Sequence, residues 1–158
     1  MNRLALTAQL TRAIIVAVCC LIVIGCAYDV PITGKATRKV DARLVGNWTT
    51  RDGKSKMKVV KLDDSSYIVD TDGEIYRAWH SDVDGTPFVS VQILDSDKPQ
   101  YAYWTWKLSD DGTLSLRNVN DKIVPDETKD SAGVRKLLKA NLKNPALFGE
   151  ETQMTKDK

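Results

Sequence analysis

The sequence predicts a mainly β domain, an antiparallel meander that closes into a small barrel of about eight strands, with one α-helix before the last strand. Two observations predict this fold. Short runs of alternating apolar and polar residues recur between residues 42 and 158, as half-buried strands require. Asp-Gly pairs at residues 72–73, 84–85 and 111–112 separate such runs, and this dipeptide is a strong hairpin signal.

Seven runs are expected to form consecutive strands. In order they are RLVGNWTT, KMKVVKL, YIVDT, EIYRAWHS, TPFVSVQIL, QYAYWTWKLS and TLSLRNV. Within the sixth run, the period of two places Ala102, Trp104 and Trp106 on one face. Tyr101 and Tyr103 fall on the opposite face, which predicts that they point away from the barrel interior.

One later segment has helical rather than strand periodicity. The run SAGVRKLLKANLKN carries apolar residues at 134, 137, 138 and 142, which lie on one helical face. Asp130 or Ser131 can cap its start, and Pro145 ends it. The single apolar stripe must pack against something, and we expect the helix to plug or cover one opening of the barrel. The run LFGEETQMT then supplies the eighth strand.

Closing the sheet into a barrel removes the exposed edges that invite aggregation. Gly46-Asn47-Trp48 on the first strand matches the G-x-W motif of the lipocalins, and residues 43–155 resemble a lipocalin-like or calycin-like barrel. The resemblance implies that Trp48 closes the barrel floor. A second lipocalin motif, Thr-Asp-Tyr in a later turn, has no counterpart here. The design is also similar to that of small bacterial lipoproteins.

The first 25 residues have the layout of a secretory signal. Arg3 and Arg12, with no acid near them, precede an apolar run from Ala13 to Ala27. A spanning helix needs ~20 apolar residues, so this run is short for one, whereas it suits a signal peptide.

The end of the apolar run, Val23-Ile24-Gly25-Cys26, resembles the bacterial lipobox. The resemblance implies that the Cys26 thiol receives a diacylglycerol, that cleavage follows Gly25, and that the new Cys26 amine is acylated, for example by palmitate. Ala27 is not Asp, and the enteric sorting rule then favours the outer membrane. We therefore expect a lipid-anchored protein whose domain faces the periplasm. A structural cysteine in an ordinary signal or an uncleaved helix is the alternative.

Three segments follow from these patterns. Residues 1–25 are the signal peptide, residues 26–41 the lipidated cysteine with a flexible tether, and residues 42–158 the barrel domain. The tether prediction rests on the weak periodicity of AYDVPITGKATRKVD, which contains Pro31 and Gly34. An alternative, in which Tyr28, Val30 and Ile32 pack back on the domain, stays open.

The charge balance argues against nucleic acid as a partner, and the small number of His and Cys residues argues against a metal site. The net charge is +2, and Arg3 and Arg12 in the leader account for the surplus, so the mature chain lacks the positive surplus that nucleic-acid binding needs. His80 is the single histidine, and all cysteines lie at or before Cys26. We expect His80 to be an exposed residue at a strand end, the Asp clusters to form turns, and the protein to bind no metal or cofactor.

The sequence favours a binding role over catalysis. It contains no Gly-x-Ser-x-Gly motif and no phosphate loop, and a hydrolase that uses a carboxylate pair is the least favoured reading. Trp48, Trp104 and Trp106 either line a cavity for an apolar ligand or fill the core. Tyr101 and Tyr103 mark a surface for an envelope protein partner or are scattered surface aromatics. A cavity of several hundred Å³ would favour the ligand over the protein partner.

Overall fold

The computed structural model describes residues 27–158, so the signal peptide, the cleavage site after Gly25 and Cys26 lie outside the described residues. The described chain forms a closed barrel of eight strands in sequence order, each antiparallel to its neighbours. The strands are β1 (Gly46–Thr50), β2 (Lys56–Lys61), β3 (Tyr67–Thr71), β4 (Glu74–His80), β5 (Val89–Ile93), β6 (Gln100–Leu108), β7 (Thr113–Asn118) and β8 (Thr152–Lys156). The predicted fold class is confirmed, and within residues 27–158 a single α-helix, α1 (Ser131–Asn141), precedes the last strand.

The barrel closes because β1 pairs with both β2 and β8. Trp48 lies opposite Met57 on β2 and opposite Lys156 on β8. Each of the eight strands therefore has two partners, which protects the backbone edges that an open sheet would expose.

The β3–β4 turn has the chemistry that the sequence predicted. Asp72 and Gly73 connect β3 to β4 with φ angles of 52° and 91°. A two-residue hairpin whose twist matches the flanking strands needs positive φ at both positions, which Asp tolerates and Gly adopts freely. The turns β1–β2, β3–β4 and β5–β6 lie at one end of the barrel, and the turns β2–β3, β4–β5 and β6–β7 at the other.

A hydrophobic core lies inside the barrel. Strand alternation and register bring one buried set of side chains together there: Leu44, Trp48, Met57, Val59, Tyr67, Val69, Ala78, Val89, Trp106, Leu114 and Met154. Trp104 packs partly buried against this set, so the predicted shared face of Trp104 and Trp106 is the inward one.

Residues 28–41, which we call the N-terminal strap, run along the outside of the barrel wall and end at the β2–β3 turn, where Val40 packs against the inner core. Tyr28 and Tyr101 exchange two backbone hydrogen bonds, of 2.8 and 2.9 Å. Tyr28 and Ile32 are buried, and Val30 packs against them. The strap is thus not the flexible tether predicted for residues 26–41, because its alternating apolar side chains find a partner surface on the barrel.

Helix α1 lies over the strap and the outer wall. The Ser131 hydroxyl donates to the Pro31 carbonyl at 2.6 Å, and Arg135 donates to the Ile32 carbonyl at 3.1 Å. The expectation that the helix covers an opening of the barrel is wrong. Its apolar stripe instead completes a second core, outside the wall, formed by Tyr28, Ile32, Val83, Phe88, Tyr103, Val119, Val124, Val134, Leu138 and Leu147.

The start of α1 is capped as predicted. The Asp130 carboxylate accepts a hydrogen bond from the backbone N–H of Gly133 at 2.7 Å.

Within residues 27–158, no helix has the length and apolar character needed to cross a membrane.

Candidate functional site

One end of the barrel is closed by a short 3₁₀-helix, Ala42–Leu44, and by Trp48. Trp48 is 1% exposed, and its indole N–H donates to the Leu44 carbonyl at 2.9 Å. The Lys156 ammonium lies 5.6 Å from the centroid of the Trp48 ring. Trp48 therefore occupies the floor position that the G-x-W resemblance implied, and we call this the closed end.

The inside of the barrel is not completely filled. A cavity of about 140 Å³ lies between inward side chains of the strands. Trp104 and Trp106 line it, whereas Trp48 lies outside its lining. Ser55 of the β1–β2 turn and the exposed Asp72 of the β3–β4 turn also line the cavity, so it reaches the surface at the end opposite Trp48. We call that end the mouth.

Two small residues create this space. Ala78 on β4 lies opposite Val91 on β5, and Val91 lies opposite Ala102 on β6. All three point inward and line the cavity. Interiors are normally packed to the density of organic crystals, so two methyl side chains in one row of a barrel leave a void unless a neighbour fills it.

The cavity walls are apolar and its mouth is polar. The deep lining includes Met57, Val69, Val89, Leu116 and Met154. The polar lining residues comprise Thr50, Ser55, Thr71, Asp72, Tyr76, Tyr28, Tyr103, Asn118 and Thr152. Among the lining residues, Asp72 is the single charged one. This combination of apolar walls and a few polar groups is typical of a small-molecule site.

His80 is buried beside the inner core rather than exposed. It is 1% exposed, and its Nε2 lies 2.9 Å from the Tyr67 hydroxyl. The Trp106 indole N–H donates to His80 Nδ1 at 3.4 Å, which leaves the proton of the neutral ring on Nε2. The prediction of an exposed strand-end histidine is wrong because His80 occupies an inward position, opposite Val89.

The surroundings of His80 favour its neutral form. Burial lowers the pKa of His80 to about 4, and the nearby Arg38 charge acts in the same direction. The ring is therefore uncharged at neutral pH. Within the part of the chain that the structure describes, no group of three or more His, Cys, Asp or Glu side chains could hold a metal ion.

Acidification should destabilise the fold through His80. The unfolded chain binds a proton with a pKa near 6.5, whereas the folded chain binds it only near 4. The contribution of neutral His80 to the free energy of unfolding is thus fully present above pH 6.5. It falls as the pH drops toward 4, by on the order of 2 kcal/mol. Urea unfolding of a chain that begins at Ala27, followed by tryptophan fluorescence at pH 7.5 and 4.5, measures this loss. His80→Asn should have a lower free energy of unfolding than the wild type at pH 7.5. Between pH 7.5 and 4.5, however, its free energy of unfolding should fall by much less than that of the wild type. An equal fall in the two proteins would contradict the assignment.

The two tyrosines on the outer face of β6 differ in exposure. Tyr103 is buried under the strap, stacks on Tyr28 with ring centroids 3.9 Å apart, and donates to the Val30 carbonyl at 2.5 Å. It is therefore not part of a free partner surface. Tyr101 remains partly exposed and meets Trp79 edge to face, with centroids 6.0 Å apart.

The geometry of the barrel carries the functional inference. No protein-family model, curated protein or solved structure matches the chain significantly. The feature best suited to function is the cavity, which offers apolar surface and a polar mouth. Alternation along β6 placed Trp104 and Trp106 on one face and left open whether they line a cavity or fill the core; both line the cavity. Ala78 and Ala102 were not recognised as the cause of the space. The sequence signal for Ala78 and Ala102 was an alanine at a strand position whose neighbours two residues away point inward.

Proposed function

We propose that the chain is a lipid-anchored protein of the bacterial envelope whose barrel binds a small apolar ligand without catalysing a reaction. The observation that carries the binding role is the apolar cavity of about 140 Å³ that reaches the mouth. The observation that carries the anchor is the lipobox-like run before Cys26, which lies outside the described residues.

The size of the cavity limits the ligand. At about 140 Å³ it is smaller than the several hundred Å³ that would by itself favour a ligand over a protein partner, so an envelope protein partner is the second candidate. It is also smaller than the roughly 300–1,000 Å³ typical of drug-sized ligands. Protein cavities of ~150 Å³ lined by apolar side chains do bind benzene. The part of the ligand inside the barrel is therefore a single ring or a short alkyl chain, and any larger or polar part lies at the mouth.

The lining chemistry supports binding rather than catalysis. The deep walls are hydrocarbon, thioether and indole groups, and both ring nitrogens of His80 are engaged by Tyr67 and Trp106. A nucleophile with a positioned base, which covalent catalysis needs, is not assembled among the lining residues. The proposal therefore includes no cofactor and no metal.

The proposed location is the outer membrane, with the barrel in the periplasm. It is supported by the signal-like leader, by Cys26, and by Ala27 rather than Asp at the next position. The proposed partners are the membrane, through the lipid on Cys26, and an apolar small molecule. The balanced charge of the mature chain argues against a nucleic acid as partner.

Filling the cavity should remove ligand binding. In Ala102→Leu, the larger side chain occupies the space between Val91 and Trp104, so benzene should bind at least about tenfold more weakly, a difference of roughly 1.4 kcal/mol. Titration of the labelled protein with benzene, followed by amide chemical shifts around the cavity, measures the affinity.

The control is Ala140→Leu, which makes the same change on the exposed face of α1. It should bind benzene as the wild type does. Circular dichroism checks that both variants keep the barrel. The proposal fails if the wild type shows no saturable shifts confined to the cavity, or if Ala102→Leu binds as tightly as Ala140→Leu.

A further inference from the structure

The described chain begins at the mouth of the barrel. Tyr28 forms its two backbone hydrogen bonds with Tyr101, the second residue of β6. It pairs there beyond the last residue of β7, Asn118, which lies opposite Trp104. Tyr28 thus extends the wall at the mouth and lines the cavity. Cys26 precedes Tyr28 by two residues, which span at most ~7 Å.

Two large apolar side chains are exposed beside the mouth. Ile75 and Leu94 are 53% and 47% exposed. Tyr76 and Ile93 are paired across β4 and β5, so Ile75, one residue earlier, and Leu94, one residue later, lie side by side at the mouth end. Contiguous exposed apolar groups often mark a surface that contacts a partner or a membrane.

A comparable pair lies at the opposite end. Val60 and Leu62 are 37% and 51% exposed and stand at the end of β2, next to the β2–β3 turn. This turn belongs to the closed end, far along the barrel from Tyr28. The two pairs share similar exposure and chemistry, and they differ in their distance from the anchor position.

The charges at the mouth do not favour strong attraction to anionic lipid. The mouth turns β1–β2 and β5–β6 contain Arg51, Lys54 and Lys98, together with Asp52, Asp95 and Asp97. Asp72 and Glu74 add further negative charge beside the cavity. Contact with a bilayer must therefore depend on apolar insertion and on the anchor rather than on a basic patch.

We propose that the barrel docks on the lipid bilayer with its mouth toward the membrane, and that Ile75 and Leu94 enter the interface. This inference rests on the proposed lipid anchor at Cys26. Because the strap is fixed to the wall, the anchor holds the mouth within a few residues of the bilayer, and docking becomes an intramolecular event with a high effective concentration. The small apolar patch of Ile75 and Leu94 is then sufficient for docking. The mouth of the cavity faces the bilayer, into which apolar molecules partition.

The test uses the full acylated chain reconstituted into vesicles of phosphatidylethanolamine and phosphatidylglycerol. Leu94→Cys and Leu62→Cys are each labelled with bimane, since residues 27–158 contain no other cysteine and the Cys26 thiol is blocked by the diacylglycerol. Both positions are about half exposed, so the label should leave the fold intact, which circular dichroism checks. Phospholipids brominated on their acyl chains should quench the label at residue 94 several-fold more than the label at residue 62.

Ile75→Cys provides a second site and should be quenched as Leu94→Cys is. Equal, weak quenching at residues 75, 94 and 62 in chains retained by the vesicles would overturn mouth-down docking while leaving the anchor intact. Stronger quenching at residue 62 would reverse the orientation and also overturn it. An intact mass without the acyl chains would overturn the anchor itself, and the docking inference with it.

Discussion

Trp48→Ala is expected to lower the free energy of unfolding by about 3–5 kcal/mol, the usual cost of deleting a fully buried tryptophan. The ring is 1% exposed at the closed end and belongs to the inner core, so its deletion leaves a cavity there. The substitution also removes the donor to the Leu44 carbonyl and the aromatic face beside Lys156. Urea unfolding of a chain that begins at Ala27, which keeps both cores, measures the change.

Trp48→Phe separates packing from hydrogen bonding at the same site. It keeps most of the apolar volume but leaves the Leu44 carbonyl without its indole donor, so we expect a smaller loss, of about 1–2 kcal/mol. A change below ~1 kcal/mol in Trp48→Ala would show that the ring does not close the floor, and the G-x-W assignment would then fail.

Local patterns predicted most of the barrel correctly. The alternation of apolar residues places Ala102, Trp104 and Trp106 on one face without knowledge of their partners, and the structure puts that face inside. Asp-Gly turns and the Asp130 cap also depend on residues close in sequence. These features are predictable because the backbone geometry of a turn, a strand or a helix start is decided within a few residues.

The errors concern contacts between residues far apart in sequence. The strap was read as a tether because Pro31 and Gly34 suggest irregular chain, whereas the Ile32 N–H donates to the Ser90 hydroxyl at 3.0 Å on a distant strand. Its own residues do carry a signal, since Tyr28, Val30 and Ile32 alternate. Only the closed barrel, however, reveals the outer wall on which they pack.

The burial of His80 follows the same logic. Its position on β4 has the same parity as Ala78, which points inward, so alternation alone placed it inside. Its polarity suggested exposure. A polar side chain can be buried when its hydrogen bonds are satisfied, and the Tyr67 and Trp106 partners that satisfy His80 come from β3 and β6. The cavity likewise depends on long-range pairing. Ala78, Val91 and Ala102 lie in one row only when β4, β5 and β6 are aligned.

Cys26→Ser is expected to abolish acylation and to block the cleavage that would follow Gly25, so the variant keeps its leader. In lipobox processing the diacylglycerol is joined to a thiol, and a serine hydroxyl does not replace it. Each buried methylene contributes ~0.8 kcal/mol, so several acyl chains hold the wild type stably in the membrane. Membrane association alone does not separate the two proteins, because the uncleaved apolar run from Ala13 to Ala27 can also hold the variant in the membrane. Metabolic labelling with a fatty-acid analogue reports acylation, and the intact mass reports whether residues 1–25 have been removed.

The leader contains its own control for this experiment. Cys19 and Cys20 lie inside the apolar run, upstream of Gly25, and are removed with the signal peptide if cleavage precedes Cys26. Cys19→Ser and Cys20→Ser should therefore incorporate the label and remain in the membrane fraction as the wild type does. Equal labelling of the wild type and Cys26→Ser would show that the lipid, if present, is attached elsewhere. Loss of labelling with removal of the leader as in the wild type would instead indicate an ordinary signal peptide, with Cys26 as a structural cysteine.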